Sequence, residues 1–413
     1  MKTEIHAHLN DPKKLETLYR ANRTAFKQAF NTLYPTLSGN IVADYWNERL
    51  NYDSEIIHWG TKRKILFVII ASAIAGLIAQ FPSLFGIDEA LFYSRNIGFI
   101  VFPFLALYFA REHKQPILKT ALPISAMLVC AVFINLLPNI PTSDTVVLSC
   151  LHLIPVLWSA TGLAFVGNTP NKREQRIKFL TYNGDLLVMM ALIVIAGAIL
   201  TGITIGLFSA IGFDIEDLYA QYIGITGLAV TPLIATYLTQ TNPQLVGKVS
   251  PVIARIFCPL VLVMLLIYLL AMAYGGKDPY TDRDFLVVFN ILLVGVMAIV
   301  FFSIAGTSYT AKNRIEIWVL TLLVVVTVVV NAVALSAILF RISEWGITPN
   351  RAAVLGANLL VLINLLSVLV QLFKVLFRNA PIAAVRGVVS GYLPIYSLWA
   401  LIVTIFFPLI FGF

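Results

Sequence analysis

Charge is scarce in this sequence: Asp, Glu, Lys and Arg make up only 12% of its 413 residues. Soluble globular domains carry roughly 25%. That deficit excludes an ordinary water-facing surface for most of the chain. Cysteine is scarce too. Cys130, Cys150 and Cys258 each sit inside an apolar run, with no metal-site spacing and no loop pair to staple, so they read as small core residues. No HExxH, GxSxG or P-loop pattern occurs. His6 and His8 lie near the start with nothing beside them to complete a metal set, so neither a metal nor a cofactor is expected. The basic residues there are interleaved with Glu16, Asp44, Glu48, Asp53 and Glu55, which argues against a nucleic-acid arm. The same segment lacks the basic, apolar and small-residue order of a signal peptide.

What is abundant is apolar sequence, at 59% of residues, gathered into long continuous runs. A bilayer-spanning helix takes about 20 such residues. Inside hydrocarbon every backbone polar group must be satisfied internally, which leaves helices or closed barrels. The runs do not alternate as barrel strands do. The expected fold is therefore all-α, a polytopic transmembrane bundle over residues 61–413. About eleven spans are predicted, near 65–85, 92–110, 117–137, 145–167, 186–211, 218–238, 252–274, 285–305, 316–340, 352–373 and 388–411.

Charge orients these runs, because Lys and Arg accumulate in short cytoplasmic loops. Twenty-four of the 29 Lys and Arg fall before the first run or in alternate loops after it. The remaining five are Arg95, Lys277, Arg283, Arg341 and Arg351. With eleven of the 21 acids on the basic side, the two faces carry +13 and −5. The predicted topology places the N-terminus in the cytoplasm and the C-terminus outside. The net +8 then reflects orientation and not a nucleic-acid partner.

Residues 1–60 form a separate polar segment. Asp11 before Pro12 reads as a helix cap with proline at the first helical position. Leu15, Leu18, Tyr19, Phe26, Phe30 and Leu33 follow at helical spacing, and Pro35 is expected to end that helix. A second amphipathic stretch carries Ile41, Val42, Tyr45, Trp46 and Leu50. Two such helices bury little core alone, so their apolar faces need a partner: each other, the cytoplasmic face of the bundle as the default, the lipid surface or another subunit, with a cytoplasmic protein partner as the functional alternative.

The most informative loop is Arg341-Ile-Ser-Glu-Trp-Gly-Ile-Thr-Pro-Asn-Arg351. Arg341 complements the C-terminal end of the ninth span. Gly346 suits a reversal at positive φ, Thr348 a helix cap and Pro349 the first position of span ten. Arg351, in the first turn of that span, opposes the helix dipole and wants an anion. Glu344, a lipid phosphate or an anionic ligand would serve. The expectation is an ion-paired or anion-binding hairpin of Arg341, Glu344, Thr348 and Arg351.

Polar residues within the spans are a second candidate. Asn290 is on span eight and Asn331 on span nine. Asn364, Ser367 and Gln371 align on span ten, with Asn358 off that stripe. Such a set lines a solute path or, more commonly, bonds neighbouring helices. Gly202 and Gly206 form a GxxxG pair that permits close helix approach. Pro103, Pro123, Pro155, Pro232, Pro259 and Pro394 fall inside or near the middle of predicted helices and favour kinks. Asp185 reads as an acid at the N-terminal end of span five. Asp88 and Glu89 pair in the first outer loop, as do Asp214, Glu216, Asp217, Asp278, Asp282 and Asp284 in later ones. Exclusion of positive charge from that face accounts for them, and a catalytic carboxylate is the alternative.

Arg341–Arg351, together with Arg255-Ile-Phe-Cys-Pro-Leu-Val-Leu-Val and the apolar run to Tyr274, resembles an uncharacterised bacterial membrane family, the domain of unknown function 4153 family. Trp345 stands where tyrosine is expected in it. The resemblance implies a bacterial inner-membrane protein and supplies no reaction. Three functional expectations follow: a permease with a polar path beside spans eight to ten; a non-transporting envelope protein that holds a cytoplasmic partner through its N-terminal helices; and a lipid-linked group transferase at the outer loops.

Overall fold

The structure is a computed structural model that describes residues 2–37, 39–51, 59–246, 249–274, 283–306 and 314–413. It divides into two compact units, residues 1–58 and 59–413. Among the described residues all regular structure is helical.

The first unit holds α1 (Lys2–Ala7), α2 (Pro12–Ala21), α3 (Arg23–Leu37) and α4 (Ile41–Asn51). Asp11 caps α2 as expected, its carboxylate accepting from the Lys13 and Lys14 amides at 3.1 Å each. The single helix expected up to Pro35 is two helices. Asn22 adopts extended backbone between them, and Pro35 lies within the last turn of α3. The break folds the apolar stripe back on itself. Ile5, Leu15, Phe26 and Phe30 are fully buried and Trp46 nearly so, in one shared cluster. Tyr19, Phe26 and Trp46 meet ring to ring at centroid distances of 5.1–5.7 Å. The unit therefore encloses its own core. Of the partners open to these helices, the core shows them packing on each other, with α1 and the break at Asn22 adding the surfaces that close it.

The second unit begins with α5 (Lys62–Ala79), α6 (Phe81–Phe85), α7 (Glu89–Glu112), α8 (Ile117–Leu136), α9 (Asp144–Val166) and α10 (Lys172–Ala210). A short α11 (Glu216–Leu218) runs through a π-helical stretch, Tyr219–Gly224, into α12 (Ile225–Thr241). Then come α13 (Val249–Tyr274), α14 (Arg283–Gly306), α15 (Arg314–Trp345), α16 (Pro349–Arg378) and α17 (Ala383–Phe411). The eleven apolar runs all fall on these helices, the first crossing from α5 into α6 and the sixth running from α11 through the π-helical stretch into α12. Eight described helices, counting Glu216–Thr241 as one, are long and apolar enough to cross a membrane. α13 and α14 contribute shorter described apolar stretches, Ile256–Leu270 and Phe289–Ala305.

Two interiors organise the unit. One is aromatic, built by α5, α7, α8, α9, α10 and α12, with Phe109, Phe165, Phe179 and Tyr182 in mutual ring contact. The other is aliphatic, with Leu265, Val300, Leu323, Leu365, Val368 and Val389 among its fully buried members. α10 faces both: Phe179, Tyr182 and Leu186 turn to the first, Ile177 and Leu180 to the second. Along α15, 50% of the apolar stretch is buried; along α10, 11%. The C-terminal half of α10 thus has few neighbours among the described residues. Gly202 and Gly206 lie there, and a Cβ added to either would meet nothing within 4 Å. Among the described residues, no close approach is made at that pair. Close approach occurs instead at Gly356 of α16, where a Cβ would collide with the Trp399 ring of α17.

Candidate functional site: polar residues within the bundle

The α15–α16 hairpin closes as its residue types dictate. Gly346 takes φ 75°, a left-handed conformation that favours glycine. Thr348 is extended and its hydroxyl accepts from the Arg351 amide at 3.3 Å. The charge pairing differs from expectation. Glu344 is exposed and takes part in none of the ion pairs among the described residues. The Arg351 guanidinium instead donates through Nη1 to Trp345 O at 2.9 Å and Gly346 O at 2.7 Å. These carbonyls end α15, where the helix dipole is negative. Arg351 thereby finds its negative partner in backbone, which the linear spacing of charges does not reveal. Arg341 is buried, and both guanidiniums lie over the Trp345 indole, 5.5 and 5.7 Å from its centroid, a cation–π arrangement.

The amides do not share one face. Asn331 of α15 is fully buried and donates to Asn358 O of α16 at 3.2 Å. Asn364 is fully buried and donates to the Tyr396 hydroxyl of α17 at 2.9 Å. Asn331 Oδ1, Asn358 Nδ2 and Asn364 Oδ1 make no hydrogen bond among the described residues. Ser367 is half-buried and bonds back to Ile363 O at 2.8 Å, Gln371 is half-buried, and so is Asn290 on α14. Asn358, set apart by spacing, is thus joined to Asn331. The expected stripe divides between two neighbours because α16 packs against α15 on one side and α17 on the other.

Two further buried arginines repeat the Arg351 arrangement. Arg95 donates to Leu137 O and Pro138 O at 2.9 Å each, just beyond the end of α8. Arg386 donates to Ile304 O at 3.3 Å and Ala305 O at 3.1 Å, at the end of α14. In each case a guanidinium satisfies carbonyls that a helix end leaves open. Gln80 does the same for the π-helical stretch, its amide meeting Gln221 O at 2.9 Å and Tyr222 O at 3.2 Å. The sequence marks Arg95 and Arg386 only as rare charges beside apolar runs.

The isolated acids take structural places. Asp88 is exposed and caps α7, accepting from the Leu91 amide at 2.7 Å, with Glu89 exposed beside it. Asp185 does not open a helix. α10 starts thirteen residues earlier, where the Asn171 side chain accepts from Glu174 N, so Asp185 lies within a continuous helix. Hydropathy marks where a span begins and misses the more polar helical turns before it. Asp278 and Asp282, like Lys277, Lys248 and Lys312, lie outside the described residues, as do the side chains of Arg255, Arg283 and Asp284. Among the described residues no cluster of three His, Cys, Asp or Glu forms a metal-binding set.

At the seam between the two interiors lies a cavity of about 420 Å³. α9 contributes Trp158, α10 Asn183 and Leu186, α14 Met297 and Phe301, and α17 Tyr396. Its lining is mostly apolar. The polar groups are the Tyr396 hydroxyl, held by Asn364, and Asn183, whose Oδ1 accepts from Trp158 Nε1 at 2.9 Å. Asn331 and Asn364 do not line it.

No family model, curated protein or solved structure matches the chain.

Proposed function

We propose that the chain is a multi-pass protein of a bacterial inner membrane, with residues 2–51 in the cytoplasm and the C-terminus outside, and that it works as a permease-like carrier at the seam cavity. Membrane residence is supported by the eight long apolar helices and by Leu and Ile side chains that point outward along them. The inner-membrane setting follows from the family resemblance, and the orientation from the charge asymmetry.

The observation that carries the carrier reading is the seam. Two separately packed interiors meet at α10, and the cavity between them draws its lining from both. Carriers of many folds hold their solute between two bundles that rock against each other. The solute class that fits the lining is apolar with one or two hydrogen-bonding groups, which Asn183 and Tyr396 would meet. This moves the candidate path from the Asn331–Gln371 stripe to Asn183 and Tyr396. The enclosed core of residues 2–51 removes the main reason to read that unit as a docking module, and the helix-capping role of Asp88 removes the main reason to read the outer loop as catalytic.

Thiol labelling tests the reading. With Cys130, Cys150 and Cys258 replaced, Asn183→Cys should react with a membrane-impermeant reagent from each side of sealed vesicles in turn. Reaction from one side only, or from neither, would remove the carrier reading and leave the membrane assignment intact.

A further inference from the structure

We propose that the groove between α5 and α7 binds an anionic phospholipid of the cytoplasmic leaflet, head at the basic mouth and acyl chain along the apolar trough. Two adjoining cavities make up the groove. The mouth, about 270 Å³, is lined by Thr61, Arg63, Lys64, Tyr108, Arg111 and Lys114, with Glu112 and Phe67. The trough, about 250 Å³, is lined by Leu66, Ile70, Ala71, Ile74, Phe104 and Leu107. Arg63, Phe67 and Arg111 line both, so the charged and apolar parts are one continuous surface.

The charge at the mouth is unbalanced. Glu112 is its one acid, and that carboxylate is held by Lys64 Nζ at 2.6 Å. Arg63, Arg111 and Lys114 make no ion pair among the described residues. Arg111 rests its guanidinium 5.5 Å from the Phe67 ring centroid, which fixes it at the rim. Below the rim, Leu66, Ile70, Ile74 and Leu107 are 37–58% exposed, while buried Ala71 gives the trough its depth. Three uncompensated cations above an apolar channel match an anionic head on a hydrocarbon tail. A zwitterionic lipid fits the trough and leaves the cations unpaired. A free phosphate fits the mouth and leaves the trough empty. Basic clusters at the cytoplasmic end of membrane helices select anionic lipid in this way.

The inference rests on the membrane reading, and the test separates the two. The full chain is purified from membranes, incubated with equal phosphatidylglycerol and phosphatidylcholine, and weighed intact with its bound lipid. Phosphatidylglycerol should be retained in preference. Arg63→Gln with Arg111→Gln should weaken it about 30-fold, roughly fivefold for each charge removed. Ile70→Trp, which fills the trough and leaves every cation, should weaken it as well. Lys172→Gln with Arg173→Gln, equal in charge change but remote from the groove, should leave it unchanged, and matched melting temperatures report that each variant folds. No preference in the parent protein would overturn the proposal. So would equal loss in both double variants, full retention in Ile70→Trp, or displacement by glycerol phosphate at lipid-like concentrations. Release of the parent chain from membranes by alkaline carbonate would instead overturn the membrane reading itself.

Discussion

Residues 2–51 and the helices from Lys62 onward treat apolar side chains in opposite ways. The first unit, small as it is, hides Ile5, Leu15, Phe26 and Phe30 completely. The second, about six times longer, leaves Ile195, Ile199 and Ile203 on α10 at 56–59% exposure. A chain folding in water buries apolar surface to remove it from water. A chain folding in lipid gains nothing by that, and packs instead to satisfy backbone and polar groups. The buried groups follow the same division. The first unit's core is aromatic and aliphatic throughout, whereas the bundle buries Arg95, Arg386, Asn331 and Asn364. Each of these four donates to a neighbouring helix, the arginines to carbonyls at or just beyond a helix end. The difference is the one the proposed setting predicts, with the second unit in lipid and the first in water.

Substitutions can break that comparison. The largest effect is expected at Phe30→Ala. Truncating a fully buried phenylalanine typically costs about 3–5 kcal/mol, which is most of what so small a unit has to spend. Hydrogen exchange should show residues 12–51 losing protection while α15 and α16 keep theirs. Next comes a matched pair. Ile195→Lys on α10 should cost about 2.5–3.5 kcal/mol, the range for a charge at the centre of a spanning helix. Ile41→Lys, at a position 71% exposed in the first unit, should change stability by less than about 0.5 kcal/mol. Equal costs at the two positions would erase the proposed difference in solvent.

A smaller effect concerns Glu16. The hydrogen bond from Arg20 holds its carboxyl below the usual range, aided by Arg49 and opposed by slight burial. A carboxyl lowered on folding stabilises the unit above the ordinary carboxylate range, and that contribution is lost as pH falls through the folded value. Glu16→Gln should therefore flatten the acid limb of the first unit's stability curve and leave lower pH unaffected. The smallest effect is at Glu344→Ala. Its carboxylate is exposed and pairs with neither arginine, so melting in detergent should be unchanged. A clear drop would restore the ion-paired hairpin.

The fold was largely legible in the sequence because its signal is local. Each apolar run is its own evidence for a helix, and caps such as Asp11 and Thr348 need only their neighbours. What failed to show is what tertiary structure brings together. Arg351, Arg95 and Arg386 meet carbonyls, and a carbonyl is present at every residue whatever its side chain. Asn358 and Asn364 lie on different faces of α16, and spacing along one helix does not say which neighbours cover those faces. Residues Lys172–Asp185 mix charged and polar residues with Ile177, Phe179, Leu180 and Tyr182, so mean hydropathy alone does not distinguish a helix projecting beyond the span from a loop. The groove between α5 and α7 was invisible for a related reason: Arg63 and Arg111 are far apart in sequence and read there only as topology markers.

The central claim is that the bare surface of the bundle faces lipid. The most direct measurement is aqueous maleimide labelling of single cysteines in sealed native membranes, in the background lacking Cys130, Cys150 and Cys258. Ile41→Cys, reached by a permeant aqueous reagent, should react fully. Ile195→Cys, Ile199→Cys and Ile203→Cys, comparably exposed at 58, 59 and 56%, should stay unreacted until the membrane is dissolved and the protein denatured. Labelling of the three α10 positions as fast as Ile41→Cys would contradict the account.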